Sequence, residues 1–373
     1  LYHLIFIVKI KNNMRVCIIG SGLSALTLAK ALVNQNIFVD IVSNSKNEKI
    51  NQSRTIGISK SNCEYFNENI IDIKDIIWKI KKIEIYSDNL KNEKILNFEN
   101  SNHQLFSIVK NYKLYEIINK SLSLSRFYKK IKLKKGIINF DNYNLIINTD
   151  YFNLYTKKFF NKKIVRTYNS LAYTTTIEHE NTLNNVAVQI FTSKGPLAFL
   201  PISNKKTSIV YSIHNSKNNI KENFKQLIEK YNFKYKIKKF NKLETFDLKS
   251  YILRNYYYKN ILAFGDLLHK IHPLAGQGFN MTIRDIKILV DIIKFKNNLG
   301  LPIDISVWLV IAALIVTANS GADVPKATIV NPIIKSDIFR EWAISAAEST
   351  SQSAPFHNII MDKTTNTQSM IIS

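Results

Sequence analysis

The sequence predicts an α/β fold in which a strand–helix–strand unit is interleaved with an antiparallel β-sheet. Three observations predict it. Val16-Cys17-Ile18-Ile19 is a continuous apolar run ended by a glycine turn, as a strand buried on both faces would be. Beyond the turn, Leu26, Ala29, Leu32 and Val33 recur at helical spacing, and a second apolar run follows over 37–42. In the middle of the chain, 168–177, 186–191, 197–201 and 208–214 alternate or run apolar with turns between, which reads as antiparallel sheet.

The turn between the first strand and helix is Gly20-Ser21-Gly22-Leu23-Ser24-Ala25, a G-x-G-x-x-A pattern in the context that gives it meaning. Gly20 makes the turn, Gly22 admits a pyrophosphate to the backbone, and Ala25 lets helix and strand pack closely. The acid that usually binds ribose hydroxyls should close the second strand. That position falls at Ser43, where Ser43 or Asn44 would bond a ribose more weakly than a carboxylate. Asp40 lies inside the strand and is expected to point elsewhere.

A second glycine turn lies far down the chain. The apolar run 261–264 leads into Gly265-Asp266, and His272-Pro273-Leu274-Ala275-Gly276-Gln277-Gly278-Phe279-Asn280 leads into a helix with Ile283, Ile286, Leu289, Val290 and Ile293 inward. Gly276 and Gly278 let the backbone approach something flat or anionic. The helix start offers free N–H groups to an electron-rich atom. Asp266, at a strand's end, suits the hydroxyls of a sugar or polyol. Two such sites in one chain imply an extended cofactor, the first holding the ADP half and the second the flavin half of FAD.

With these motifs the chain resembles the class A flavoprotein aromatic hydroxylases of the para-hydroxybenzoate hydroxylase fold, and more narrowly the ubiquinone-biosynthesis hydroxylases. The resemblance runs over about residues 14–304. It rests on Gly20, Gly22 and Ala25, on Ser53-Arg54-Thr55-Ile56-Gly57-Ile58-Ser59, on Gly195-Pro196-Leu197-Ala198-Phe199-Leu200-Pro201, and on Gly265-Asp266 with the 272–280 segment. It implies a Rossmann-like FAD-binding domain (14–75, 105–165, 255–300) interleaved with an antiparallel β-sheet substrate domain (76–104, 166–254). Asp266 would meet the ribityl chain, and Gly276, Gln277, Gly278 and Asn280 would line the flavin edge. Arg54 would sit near the flavin and its phosphates. His272 and Pro273 would lie where a ring approaches, with His272 exchanging a proton with its hydroxyl or only shaping the loop. At 150–151 the family carries Asp-Gly, whereas this chain has Asp150-Tyr151.

The activity implied is FAD-dependent hydroxylation of a prenylated phenol or quinol, with NAD(P)H as a transient electron donor and O2 as oxidant. Two alternatives stand beside it. One is another flavin enzyme of this fold, such as a prenyl reductase or a different ring hydroxylase. The other is a non-catalytic flavin-fold subunit of a membrane biosynthetic complex.

Composition narrows the partners. The chain has 373 residues, with 52 Lys+Arg against 28 Asp+Glu, a formal net charge of +24. That excess favours an anionic membrane surface. Lys is spread along the chain and no nucleic-acid motif is present, so no nucleic-acid partner is expected. Cys17 and Cys63 are the only cysteines, which implies no disulfide framework and a reducing setting. The expected location is cytoplasmic, peripheral on the inner face of the cell membrane. No apolar run reaches the roughly 20 residues of a membrane span. His269 and His272 lack further ligands, so no metal site is expected. A G-x-S-x-G elbow is absent, which argues against a serine hydrolase.

Both ends differ from the rest. Residues 1–13 precede Met14 and are read as an extension outside the fold rather than a signal peptide. Residues 301–373 hold 9 Ala where the preceding 300 hold 8, contain no Tyr, and carry 4 Lys+Arg against 6 Asp+Glu. They are read as an atypical tail, unrelated or frame-shifted.

Overall fold

The computed structural model describes residues 14–43, 52–88, 93–99, 104–132, 139–214, 223–270 and 277–299. The extension 1–13 and the tail 301–373 lie outside the described residues. β1 (Arg15–Ile19), α1 (Leu23–Val33) and β2 (Phe38–Ser43) form the expected strand–helix–strand unit. Next come β3 (Thr55–Ser59), α2 (Lys60–Asn69), β4 (Ile77–Ile80), β5 (Lys82–Ser87), β6 (Glu93–Glu99) and β7 (Phe106–Lys110). α3 (Asn111–Ser123), β8 (Tyr128–Lys132), β9 (Leu145–Asn148) and the short α4 (Leu154–Phe159) follow. The middle of the chain is β10 (Lys163–His179), β11 (Val186–Thr192), β12 (Gly195–Ser203) and β13 (Lys206–His214). Then come α5 (Phe224–Tyr231), β14 (Ile237–Phe240), β15 (Glu244–Leu253), β16 (Tyr257–Tyr258) and β17 (Ile261–Ala263). A 3-10 turn (Gly265–Leu267), β18 (His269–Lys270) and α6 (Gln277–Asn298) complete the described chain.

The first sheet runs β17-β9-β1-β2-β8, all parallel, with β16 as an antiparallel edge. A parallel sheet must be covered on both faces. On one face Ile18 and Ile41 meet Leu28 and Leu32 of α1, Leu114 and Ile118 of α3, and Ile283, Ile286 and Leu289 of α6. On the other, Cys17, Ile19 and Ile146 pack with Phe160, Leu253 and Leu267. Each such side chain contributes about 1.5–3 kcal/mol by leaving water.

The second sheet runs β18-β15-β10-β13-β12-β11-β5-β6, with β14 also pairing to β10. Alternation sorts its two faces. Tyr173, Ile177, Leu197, Phe199, Ile209 and Tyr211 point to one side, where Phe224, Ile228 and Tyr231 of α5 cover them. Ala198, Leu200, Val210 and Ser212 alternate to the other side and are half-buried. A small sheet, β3-β7-β4, lies between the two large ones. Leu200 and Ile202 of the second sheet pack there against Ile80, Ile108 and Trp78.

Two stretches fold otherwise than their residues suggest. The run 70–80 reads as helical, but the helix is α2, ending at Asn69, and Ile77–Ile80 is a strand. Ile70 and Ile73 anchor the turn between them in the core, and β-branched residues then suit the ladder with β7. β8 is not legible locally, because its Tyr-Lys-Lys-Ile-Lys stretch is too polar to read as a strand. Its backbone pairs with β2 at the sheet edge, where half-exposed polar residues are tolerated.

Candidate functional site

The first glycine turn is shaped by β9. Gly20 has φ +117°, and its N–H donates to Val42 O at 2.9 Å. A Cβ there would lie 2.3 Å from Thr149 Oγ1, which itself donates to Ile19 O at 2.9 Å. The turn therefore closes against the end of β9 and admits only glycine. Gly22 is different. It has an ordinary extended φ of −71°, and a Cβ there would meet nothing within 4 Å. It also caps α1 without a side-chain bond, and the helix has no acid in its first turn. Open space in front of first-turn N–H groups is what a phosphate needs. Ala25 is fully buried, as close packing against β1 requires.

The second turn lies against the first. Gly265 has φ +62°, and a Cβ on it would stand 3.1 Å from Ser24 Cβ and 3.8 Å from Thr282 Oγ1. Ser24 belongs to the first glycine motif and Thr282 to α6. The atom nearest a Cβ on Gly278 would be Asp266 Oδ1, at 3.9 Å. The Asp266 side chain is exposed beside the start of α6. Motifs more than 240 residues apart thus meet in one place, and an extended dinucleotide fits the open backbone at Gly22 and the free carboxylate of Asp266.

Two residues that sequence reasoning missed hold this turn. The Asp266 carbonyl accepts hydrogen bonds from Tyr251 Oη at 2.8 Å and from Tyr151 Oη. The two rings meet edge to face, 5.6 Å apart at 87°. Burial, and then the charge of Asp266, push the Tyr251 hydroxyl well above its ordinary pKa. It stays protonated and remains a donor. Tyr151 fills the place where the resembling family has glycine. Asp150 meanwhile accepts from Phe152 N at 2.9 Å and shapes the turn into α4.

Other expected site residues have more local duties. The Asn280 amide accepts from Ser59 N and Asn62 Nδ2, both at 2.9 Å, and donates to Gly57 O at 2.8 Å. These bonds tie the start of α6 to β3 and α2. Arg54 lies just before β3, exposed, with its guanidinium carbon 5.2 Å from the Phe246 ring centre. Its neighbours Ser53 and Thr55 bond Glu244 at 2.7 Å and Ser208 at 3.1 Å. Arg54 thus stands at the seam between β3 and the half-buried face of the second sheet. Ser43 is buried at the end of β2. Asp40 does point elsewhere: it pairs with Arg15 Nε at 3.0 Å and accepts from Tyr143 Oη at 2.9 Å. Gln277 opens α6. His272, Pro273 and Gly276 lie outside the described residues.

Comparison with known proteins agrees with this geometry. A family model described as an FAD binding domain matches residues 167–295, from the second sheet through α6. Ubiquinone hydroxylase UbiL of Rhodospirillum rubrum is 26% identical over 144 residues, covering 36% of this chain and 33% of that protein. The 3-demethoxyubiquinol 3-hydroxylase of Escherichia coli is 32% identical over 133 residues, 33% of each chain. The match therefore spans about a third of the length of these relatives. Among solved structures, the p-nitrophenol 4-monooxygenase PnpA of Pseudomonas putida superposes with a TM-score of 0.72 at 11% identity, covering 94% of this chain and 98% of that one. PqsL, a probable FAD-dependent monooxygenase of Pseudomonas aeruginosa, gives 0.65 at 14% identity, covering 82% and 95%. Motifs, domain match and architecture converge: residues 167–295 match an FAD binding domain, and the chain has the fold of PnpA and PqsL.

Proposed function

We propose that the chain is an FAD-dependent monooxygenase that hydroxylates the ring of a polyprenyl phenol or quinol in ubiquinone biosynthesis, using NAD(P)H and O2. The observation that carries this reading is the meeting of Gly265 with Ser24 and of Asp266 with Gly278. It supports reading the two turns as one site, with Gly22 for a phosphate and Asp266 for a polyol. The two relatives named for ubiquinone-pathway hydroxylation support the substrate class.

When bound, FAD supplies the redox and oxygen chemistry. The protein's part is to bind, orient and exclude water. First-turn N–H groups of α1 would hold the pyrophosphate beside Gly22. The Asp266 carboxylate would accept hydrogen bonds from ribityl hydroxyls, on a backbone fixed by Tyr151 and Tyr251. The N-terminus of α6 favours negative charge at the flavin edge. Arg54 adds a cation at the seam. His272 and Pro273, in the segment leading into α6, are our candidates for the ring-facing side, with His272 exchanging a proton with the substrate hydroxyl. The half-buried face of the second sheet forms the opposing wall. The working division remains 14–75, 105–165 and 255–300 for the cofactor half and 76–104 and 166–254 for the substrate half. The β4–β7 ladder bridges those two halves.

A prenylated substrate resides in the bilayer, and the net charge of +24 supports a position against anionic lipid on the cytoplasmic side, alone or within a biosynthetic complex. No helix among the described residues is long and apolar enough to cross a membrane. The test is a purified protein with a flavin spectrum that bleaches with NAD(P)H, recovers in air and adds one oxygen atom to a prenylphenol, read by mass. A reduced prenyl chain or a different hydroxylated ring would select another enzyme of this fold. The second reading, a non-catalytic subunit, is favoured by Ser43 in place of a ribose-binding acid and by Tyr151 in place of glycine. It predicts a colourless protein that takes up no FAD.

A further inference from the structure

The ends of β10 and β15 nearest the Asp266 turn expose apolar side chains on both faces of a ribbon. Ile164 and Ile252 are cross-strand partners, 58% and 48% exposed. Val165, alternating to the opposite face beside its partner Tyr251, is 49% exposed. Among the described residues, β13 begins to pair with β10 only at Ser170, so along 163–167 the ladder has β15 on one side alone. From Tyr251 the apolar surface continues through the Tyr151 ring to Phe152, whose ring centre is 6.3 Å from that of Tyr151, and on to Leu154. Phe152 and Leu154 are 84% and 61% exposed. A patch of this kind marks a contact with something apolar.

Charge says what that something is. Residues 151–170 contain Lys157, Lys158, Lys162, Lys163 and Arg166 and no Asp or Glu. All five cations are exposed. Across the ribbon, residues 248–260 add Lys249, Arg254 and Lys259, again without an acid. Two acids border the patch, Asp150, whose Oδ1 accepts from Phe152 N at 2.9 Å, and the exposed Asp266, while Asp247 on β15 is paired with Lys249 at 3.4 Å; the cations outnumber them. Leu253, on the Val165 face, is buried against the first sheet, so the ribbon is an edge of the fold whose tip, Ile164, Val165 and Ile252, stands out of it; a protruding apolar tip fringed with cations suits a headgroup layer. Long cationic side chains can bury their stems and keep their charges at the headgroups.

We infer that the 163–167/249–253 ribbon and the Phe152–Leu154 loop enter the headgroup layer of an anionic bilayer, presenting the Asp266 turn to the membrane. This deepens the proposed function and rests on it for the reason a bilayer is met at all. The contact places the mouth of the site where a lipid-dissolved substrate lies.

The experiment uses the full chain loaded with FAD and sucrose-filled vesicles of phosphatidylcholine with or without phosphatidylglycerol. Wild type is expected to pellet with the anionic vesicles and to be released by salt. The double variant Ile164→Ser/Ile252→Ser and the double variant Lys162→Glu/Lys163→Glu should each partition roughly tenfold more weakly while keeping their melting temperature and FAD content. Phe191→Ser, at an exposed site on β11, serves as the control and should pellet like wild type. Wild type that holds FAD yet stays in the supernatant overturns this inference and leaves the enzyme reading standing. So does pelleting that neither double variant weakens. A dimer in solution that the serine variant breaks, without vesicle binding, also overturns it and makes the ribbon a contact between copies. Failure of wild type to take up FAD counts against the enzyme reading, while the vesicle result stands on its own.

Discussion

An alanine at Gly20 would place its Cβ 2.3 Å from Thr149 Oγ1 on a backbone with φ +117°. That clash and the left-handed backbone should cost at least about 1–3 kcal/mol, seen as a lower melting temperature. Gly22→Ala is the contrasting case. Its φ is ordinary and its surroundings are open, so stability should change by no more than about 0.5 kcal/mol. FAD affinity should fall instead, because the added methyl occupies the approach to the α1 N–H groups. If both variants lose the same stability, the division between fold and ligand at this turn is wrong. Tyr251→Phe and Tyr151→Phe each remove a donor from the Asp266 carbonyl, worth about 0.5–1.5 kcal/mol. FAD uptake, measured at matched folded fraction, should weaken in both and most in the double variant. The two glycines were legible in the sequence because a turn and a close approach demand them. The tyrosines were not: 100 residues separate them, and no local pattern marks a hydroxyl aimed at a distant carbonyl.

Elements bring the site together through braces. Asn280 links α6 to β3 and α2 by bonds to Gly57 O, Ser59 N and Asn62. Asn280→Ala strands the Ser59 N–H and the Gly57 carbonyl, and should cost about 1–3 kcal/mol in urea unfolding. A variant with unchanged midpoint would mean that water replaces the amide freely. The first strand, α1, β17, α6 and the antiparallel sheet were legible because their apolar periods are strong and glycine turns bound them. β4 and β8 were not. Ile70 to Ile80 carries isoleucines at spacings that fit either period, and β8 is three-fifths lysine. Tertiary pairing with β7 and β2 decided both.

At the scale of the whole molecule, buried ionisable groups set an alkaline limit. Burial, reinforced by Asp40, pushes the Cys17 thiol up to about 12. Burial also raises the Tyr65, Tyr128 and Tyr235 hydroxyls to about 12. Each group is neutral when folded and ionises nearer its ordinary value once unfolded. The stability this provides is intact below about pH 9 and is lost as pH rises from there toward 12. Melting temperature should therefore fall steadily across that window, and a flat profile to pH 12 would contradict the burial. Both cysteines are buried, so at about pH 8 a thiol reagent should find neither until the chain unfolds.

The proposed function requires two glycine turns more than 240 residues apart in sequence to grip one molecule of FAD. Equilibrium titration of the purified chain with FAD, followed by flavin fluorescence, tests it most directly. The account predicts saturation at one FAD per chain, with affinity falling when either Gly22→Ala or Asp266→Ala alters one turn. A wild-type protein that leaves FAD free in solution, or one whose uptake is unchanged when both turns are altered, would contradict it.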